Sequence, residues 1–433
     1  MRKLLLASAA TMGALLVTVG GAQAQPVSQP APGTIAVHLN GYLQFSIGDF
    51  GSTLNSHAGN KLNPITTDGD ARLYGGFDAQ TLNGINYGAQ IELRTTKSNA
   101  GESVGSNSTS TAGTSSFYVK RAYGYIGTSE AGYVRLGQTD SAFSLFQTGV
   151  LEGFGDGAQW NTDGGLINAL PTQVVPSTFI YADASALYAT DKVVYLSPSI
   201  AGFSVAAGYE PSSNGLKEGT ANCVQTSLNL CSNISSTNVT QSLSQRKNTI
   251  DAAVQYSGDL GGFATKANLG IINAAPVNFT GVTTAASAAP FGVKEMTVYQ
   301  AGVQSSYAGV TLGAAVKWGA VENGYAFVPK GSRNGLAYIV NGTYVVGPYV
   351  VGASVFDEQS AGGFVAGSTA DGHFARTLSE YGVATGANYV VGKDLTLFVQ
   401  YMYGHQHQPG NTGLGNDGNT QVQVVSTGAT FKW

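Results

Sequence analysis

The chain has 433 residues, and only 11% of them are Asp, Glu, Lys or Arg, against the ~25% usual in soluble domains. It contains 59 Gly, 18 Phe and 22 Tyr, a composition that favours strands, tight turns and aromatic belts over a helical enzyme. The formal net charge of −4 and the lack of any Lys/Arg cluster in the sequence exclude nucleic-acid binding.

The first 24 residues have the features of a signal peptide. Arg2 and Lys3 precede an apolar stretch at 4–19, and Ala22-Gln23-Ala24 fits the small-x-small pattern of a cleavage site. The mature chain is therefore expected to begin at Gln25. No later apolar run in the sequence approaches the ~18 residues of a transmembrane helix, which favours an exported protein without a helical anchor.

A Pro-rich segment, residues 25–34, is expected to be a periplasmic lead-in, and the strand pattern begins at Ile35. From there, apolar side chains occupy every second position for more than a dozen residues, which predicts a strand with one apolar and one polar face. The stretch 70–96 repeats this pattern on both sides of Asn83-Gly84, a pair that suits a two-residue hairpin turn.

The same alternation recurs to the end of the chain as pairs of runs joined by short turns. With the strands already named, the runs add up to sixteen predicted strands: 116–128 with 131–140, 186–197 with 201–210, 247–258 with 262–273, 294–307 with 310–320, 335–346 with 349–358, 379–390 with 394–405, and 419–433 alone. The connections between pairs are longer and rich in Ser, Thr, Asn and Gly.

Terse turns on one side and long connections on the other are typical of an outer-membrane β-barrel. Runs of ~9 to 11 tilted residues cross a bilayer, and a closed sheet leaves no unpaired edge in hydrocarbon. We therefore predict a sixteen-stranded antiparallel transmembrane barrel over residues 35–433, with its apolar face in lipid and its polar face around a water-filled lumen. A soluble all-β exported protein is the alternative.

Two features could indicate other chemistry. Cys223 and Cys231 lie close together in a polar segment, and in an exported protein such a pair favours a disulfide over a redox or metal pair. The stretch 101–105 reads GESVG, but it lacks the strand, helix and partner His that a nucleophile elbow needs. We therefore expect no enzyme activity, no metal and no cofactor.

Two stretches resemble the general bacterial porins of Gram-negative outer membranes. Residues 120–141, KRAYGYIGTSEAGYVRLGQTDS, are similar to the fourth and fifth strands of that family, and residues 192–211 to the sixth and seventh. The chain also ends in alternating Phe431 and Trp433, the terminal aromatics that the barrel-assembly machinery recognises in such proteins. The resemblance implies a homotrimer that passes small hydrophilic solutes and ions by passive diffusion.

The resemblance also implies a constriction. In the family, the third long loop folds into the lumen and sets carboxylates against basic side chains of the wall. Here that loop is residues 141–185, and GVLEGFGDG at 149–157 is similar to the family's constriction stretch, so Glu152 and Asp156 are the candidate acids, followed by Asp163.

The candidate basic wall consists of strand residues with inward parity, which means that the period-two alternation turns their side chains toward the lumen. Arg72 and Arg121 occupy the strand positions at which the family has basic residues. At a further such position this chain has Val194, and Lys192 lies one inward-facing position away from it. Lys266 and Lys317 have inward parity as well. Tyr42, Tyr74, Tyr123 and Tyr125 share that parity and keep a moderately sugar-selective channel open as an alternative function.

Overall fold

The computed structural model describes residues 30–53, 63–95, 117–161, 163–170, 174–176, 178–181, 187, 190–213, 234–237, 245–280, 293–322, 325–361, 377–409 and 418–433. The predicted signal peptide and the Cys223–Cys231 pair lie outside these residues, so the disulfide stays a prediction.

The fold is a closed antiparallel barrel of sixteen strands, which confirms the predicted fold class. The strands of the described residues are β1 (Ile35–Ser52), β2 (Ile65–Gln80), β3 (Asn86–Thr95), β4 (Phe117–Thr128), β5 (Gly132–Thr139), β6 (Thr190–Leu196), β7 (Phe203–Ser212), β8 (Ser235–Ser236), β9 (Arg246–Leu260), β10 (Phe263–Pro276), β11 (Asn278–Phe279), β12 (Met296–Tyr307), β13 (Val310–Gly319), β14 (Gly335–Val346), β15 (Tyr349–Ser360), β16 (Leu378–Gly392), β17 (Leu395–His407) and β18 (Asn419–Lys432). The short strands β8 and β11 form a separate parallel pair outside the barrel.

The helices of the described residues are short. The helix α1 is Ala142–Leu145, and a 3₁₀ helix spans Leu166–Ala169. In the part of the chain that the structure describes, no helix is long and apolar enough to span a membrane.

Strand β14 shows how the alternating sequence sorts its side chains. Leu336, Tyr338 and Val340 are exposed, whereas the intervening Ala337 and Ile339 are buried. The same alternation is found around the barrel, and it is the reverse of that in a soluble protein. Large apolar side chains are exposed on the outer face, and polar side chains such as glutamines and carboxylates are buried on the inner face. Exposed apolar side chains are stable only against lipid, so the outer face is the membrane-facing one.

The barrel closes where the first strand pairs with the last. The Gly41 and Trp433 backbones exchange hydrogen bonds of 3.1 and 3.2 Å, and the Gln44 amide donates to Thr430 Oγ1 over 3.1 Å. Because β1 and β18 pair in this way, no strand edge is left to face hydrocarbon.

Connections at the two ends of the barrel differ as the sequence predicts. Short turns join β2 to β3, β4 to β5, β6 to β7, β9 to β10, β12 to β13, β14 to β15 and β16 to β17, whereas the connections between these pairs are longer. The turn at Asn83-Gly84 differs from its prediction, because β2 ends at Gln80 and β3 begins at Asn86. Five residues therefore form it, held by a bond from the Ile85 N–H to Thr81 Oγ1.

Aromatic side chains of the outer face gather near both strand ends. Near the short turns they form the pairs Phe203–Tyr256, Phe263–Tyr307 and Tyr349–Tyr389, and near the long connections the pairs Tyr299–Trp318 and Tyr381–Tyr403. Two such girdles mark the two interfaces of a bilayer. The short turns therefore lie at the periplasmic end of the barrel and the long connections at the outer end.

Candidate functional site

The connection between β5 and β6, residues 140–189, contacts the inner face of the barrel along most of its described length. It begins with α1, whose first turn is capped by the Ser141 hydroxyl, an acceptor for the Ser144 N–H over 3.1 Å. The Phe143 N–H then donates to Asp251 Oδ1 on β9 over 2.8 Å, and Gln300 on β12 donates to the Phe143 carbonyl over 2.6 Å.

The next residues follow the wall strand by strand. Asn341 on β14 donates to the Gly149 carbonyl over 2.8 Å, Gly155 exchanges hydrogen bonds with Asn388 on β16, and the Gln400 amide of β17 donates to Asp156 Oδ2 over 2.6 Å. Since these strands follow one another in order around the barrel, with β15 between β14 and β16, the segment runs along its inner circumference.

Glycines on the inner face make room for this segment. A Cβ at Gly302 on β12 would lie 1.9 Å from the Thr148 carbonyl oxygen, and a Cβ at Gly352 on β15 would lie 2.3 Å from the Phe154 ring. Any side chain at these wall positions would push the segment away from the wall. The glycines are therefore part of the docking surface for the 140–189 connection.

The wall opposite the charged strands is apolar beneath the segment. Trp160 packs edge-on against Phe356 of β15, with ring centroids 6.3 Å apart, and Tyr181 contacts the same ring at 6.4 Å. Ile339 and Met402 join this buried cluster. The inner face is therefore partly apolar on this side, where the segment covers it and keeps water from it.

At the other wall, Asp163 contacts three basic side chains. Its carboxylate accepts from Arg94 Nη1 over 2.6 Å and from Lys120 Nζ, and Arg72 Nη2 donates to its carbonyl over 2.9 Å. Burial alone would raise the pKa of the Asp163 carboxyl, but Arg94, Lys120 and Arg72 together lower that pKa well below its usual range. Asp163 thus stays ionised and ties the segment to strands β2, β3 and β4.

A second group of charges lies beside the first. Glu92 on β3 accepts from both Arg94 and Arg121, and the Arg121 guanidinium also donates to Asp140, with 2.9 Å between Nη2 and Oδ1. Arg121 and Lys120 are adjacent in sequence, yet both are buried on the inner side. A bulge in β4 explains this, because Glu92 pairs with Arg121 while Leu93 pairs with Val119.

Glu152 and Asp156 are both buried within the segment. Glu152 accepts from the Asn161 amide over 2.9 Å, and Asp156 accepts from the N–H groups of Ala158 and Gln159. Burial raises the pKa of Asp156 despite these hydrogen bonds. The carboxylate of Asp163 contacts Arg72, Arg94 and Lys120.

The predicted wall lysines all lie on the inner face but have different surroundings. Lys192 is buried next to Glu210, at 3.4 Å, and donates to the Thr139 and Leu187 carbonyls. Lys317 is buried beneath the segment and donates to the Phe179 carbonyl over 3.1 Å. Lys266 is exposed near the periplasmic end. The lysines therefore do not form one continuous row with Arg72 and Arg121.

Other predicted residues lie away from this site. Phe431 and Trp433 are exposed on the outer face at the periplasmic end, and the Trp433 ring covers Gly41. Sequence reasoning missed Lys120, because period-two alternation assigns neighbouring residues to opposite faces. A Lys-Arg pair inside a strand pattern was the available signal, since one of two adjacent cations would otherwise face lipid.

Comparisons with known proteins agree with this architecture. Residues 7–408 match the family described as Gram-negative porin. An anion-selective porin from Comamonas acidovorans is structurally similar, with a TM-score of 0.54 and 14% sequence identity over 92% of this chain and 100% of that one. The trimer form of OmpT, an outer membrane protein of Vibrio cholerae, gives 0.52 and 13% over 92% and 100%. A search of curated proteins finds no match.

Proposed function

The chain belongs to the Gram-negative porin family, and we propose that, within an outer-membrane channel of this kind, the segment 141–181 sets the width and the charge of the water path. The chain forms a channel for passive diffusion of small hydrophilic solutes and ions. One observation supports the role of the segment above all. It is tied to opposite walls, through Asp163 on one side and through Asn341 and Asn388 on the other.

Charge pairing determines how such a passage treats ions. The carboxylates of the cluster around Asp163 are paired with an equal number of basic side chains, so the cluster holds the segment in place and adds little net field. The four acids are Asp70, Glu92, Asp140 and Asp163, and the four bases are Arg72, Arg94, Lys120 and Arg121. Selectivity then depends on bore and on the charges that remain near the water path, rather than on a tight binding pocket. Glu152 and Asp156 are proposed as acids of the constriction, and Arg72, Arg121, Lys192, Lys266 and Lys317 as its basic wall.

Assembly as a homotrimer is part of the proposal. The outer faces of β1 to β5 carry aliphatic side chains with few aromatics between the girdles, namely Leu39, Leu43, Ile91, Ile126 and Leu136. Most aromatic pairs of the outer face lie instead on β7 to β17, and Phe77–Tyr87 is the pair on β2 and β3. A face with fewer girdle residues suits contact with a second copy of the chain better than contact with lipid headgroups. The trimeric form of the Vibrio cholerae OmpT is consistent with this arrangement.

The remaining features concern export and assembly. Residues 1–24 are proposed to be removed on export, and Phe431 with Trp433 to be the signal read by the barrel-assembly machinery. The sugar-selective alternative is not carried further, because the hydroxyls of Tyr123 and Tyr125 already donate their protons to Gln90 and Asp78 of neighbouring strands.

Planar-bilayer recording in a salt gradient tests the role of the segment with two matched variants. Both Asp163→Asn and Glu152→Gln remove one negative charge from it. Glu152→Gln keeps an acceptor for Asn161 and should shift the reversal potential toward anions at nearly constant conductance. Asp163→Asn removes the charge that holds Arg94 and Lys120, and should change the conductance per step as well.

The wild-type protein should insert in discrete conductance steps, three at a time if the unit is a trimer. If the two variants change conductance and reversal potential equally, the segment does not depend on the Asp163 contacts. If neither variant changes the conductance or the reversal potential, the water path does not pass along the segment.

A further inference from the structure

A second feature of the inner face lies apart from the 140–189 connection, near the periplasmic end. A cavity of about 120 Å³ opens there against strands β1 to β6, several times the ~30 Å³ that one water molecule occupies in the liquid. Its walls combine two charged side chains, Asp78 and Arg135, with the rings of Tyr123, Tyr125 and Tyr133. A few convergent polar groups on an aromatic lining are typical of a small-molecule site.

The strand register places the two charges at opposite ends of one row. Asp78 on β2 is paired with Gly88 on β3, Gly88 with Tyr125 on β4, and Tyr125 with Arg135 on β5. Gly88 carries no side chain, and a Cβ there would lie 2.6 Å from the Tyr125 ring. The phenol therefore lies flat over β3 and reaches Asp78. The floor between the two charges is an aromatic surface.

Arg135 is the cation at one end of the row. Its guanidinium lies over the Tyr123 ring, 5.1 Å from the centroid, and no carboxylate in the described part of the chain forms an ion pair with it. Arg121, one strand away, binds both Glu92 and Asp140. Five N–H donors in a fixed fork, stacked on a ring and in no direct ion pair within the described residues, are arranged to bind a carboxylate.

Asp78 is the anion at the other end. It accepts from the Tyr125 hydroxyl, and His38 Nδ1 lies 3.7 Å from its Oδ2. One phenolic hydrogen bond leaves most of the acceptor capacity of a carboxylate unused. A simple anion bound to Arg135 would be repelled by Asp78, and a simple cation bound to Asp78 would be repelled by Arg135.

From this arrangement we propose that the cavity is a binding subsite for zwitterionic amino acids. The α-carboxylate of the solute binds Arg135, its ammonium group binds Asp78, and its backbone lies over Tyr125. Small neutral amino acids thereby gain a local preference over singly charged solutes of similar size. The inference rests on the chain being a diffusion channel, to which it adds a solute class and a weak, saturable step.

Single-channel recording in dilute KCl tests the subsite, because charged contacts are least screened at low ionic strength. Glycine is added at increasing concentration, with glycolamide, its uncharged isomer, as the matched solute and with acetate and methylammonium as the singly charged ones. Glycine should reduce the open-channel current and reach saturation, whereas glycolamide should lower it only in proportion to concentration.

Three variants distinguish a specific binding subsite from a general electrostatic effect of the channel's charges. Arg135→Gln should raise the half-blocking concentration of glycine by about tenfold, the usual loss for a hydrogen bond to a charged group. Asp78→Asn should weaken the block by glycine and strengthen the block by acetate, since the repulsion of anions is gone. Lys393→Gln, which removes an exposed cation from the short turn between β16 and β17 at the same end of the barrel, should leave the half-blocking concentration of glycine unchanged.

The outcomes are distinguishable from failure of the channel itself. If KCl alone gives no conductance steps, the proposed function fails. If steps appear but glycine acts like glycolamide, or if Lys393→Gln weakens the block as much as Arg135→Gln, the subsite is overturned while the channel stands.

Discussion

Single residues in this barrel have roles that their type alone does not reveal. Glu152, Asp156 and Asp163 are three acids of one segment, yet their contacts differ: the carboxylate of Asp163 meets Arg94 and Lys120, whereas Glu152 accepts from Asn161 and Asp156 from backbone N–H groups. Sequence resemblance leads to the stretch but cannot rank the acids within it. Their roles depend on how the backbone turns between residues 152 and 163, and on side chains of β2 to β4 that lie far away in sequence.

The Asp163 contact predicts a specific pH response. Arg94, Lys120 and Arg72 hold the pKa of Asp163 below its unfolded value of ~3.9. A lowered folded-state pKa gives stabilisation that is present above the unfolded value and is lost only as the pH falls through the folded value. Conductance should therefore stay constant from pH 7 to about 4, as far as Asp163 is concerned, and change below that pH.

Recordings at stepwise lower pH check this expectation, with Asp163→Asn as the reference that has no carboxyl to protonate. The wild type should approach the conductance of that variant in acid. A transition centred between pH 5 and 7 that is missing in Asp163→Asn would contradict the assignment.

At the scale of strands and loops, the sequence predicts regular strands from their alternation but does not predict where that alternation is interrupted. All sixteen barrel strands follow from period-two alternation and short turns. The bulge that turns both Lys120 and Arg121 inward adds one residue to β4. Apart from the adjacent Lys-Arg pair it has no signature in the residue types of that strand, so the alternation alone could not predict it. The docking of the 140–189 connection likewise depends on wall glycines such as Gly302, more than a hundred residues away, which in the sequence alone indicate only a weak strand.

The wall glycines give a prediction at this scale. Gly302→Ala places a Cβ 1.9 Å from the Thr148 carbonyl oxygen, so the segment must shift, at a cost of about 1–3 kcal/mol for overpacking. The barrel itself should still fold. Limited proteolysis should cut within 140–189 faster than in the wild type, and the conductance per step should change.

Gly75→Ala is the matched control. Gly75 lies on the outer face of β2, where the nearest atom to an added Cβ is Leu39 Cδ1 at 4.0 Å. Equal proteolysis of the two variants would show that the segment does not need the space that Gly302 leaves.

On the scale of the whole molecule, the barrel has two apolar layers with different partners. The outer layer faces lipid, and the inner one, around Phe356 and Ile339, is covered by the protein's own segment. Composition indicated the first, because low charge and alternation describe a surface in lipid. It could not indicate the second, since an apolar residue at an inward position reads as an irregularity of the pattern until the covering chain is placed.

The outer layer predicts a depth-dependent cost for charge. Val340 lies at the middle of β14 and Val346 at its periplasmic end, on the same face, with exposures of 61% and 48%. Val340→Arg should destabilise the barrel by about 2–4 kcal/mol and Val346→Arg by about 0–1 kcal/mol, as for arginine at the midplane and near the interface. Urea unfolding from phospholipid vesicles measures both, and equal costs would contradict a lipid-facing β14.

The joint between β1 and β18 bears on the order in which this molecule is assembled. The Gln44 amide donates both to the Asp156 carbonyl, over 2.8 Å, and to Thr430 Oγ1, over 3.1 Å, so a single side chain bridges the first strand, the inner segment and the last strand. If β1 and β18 paired before the segment was in place, the Gln44 amide would lack the Asp156 carbonyl as an acceptor, and the apolar inner layer would be exposed to water. Closure of the barrel is therefore linked, through Gln44, to the packing of its own interior.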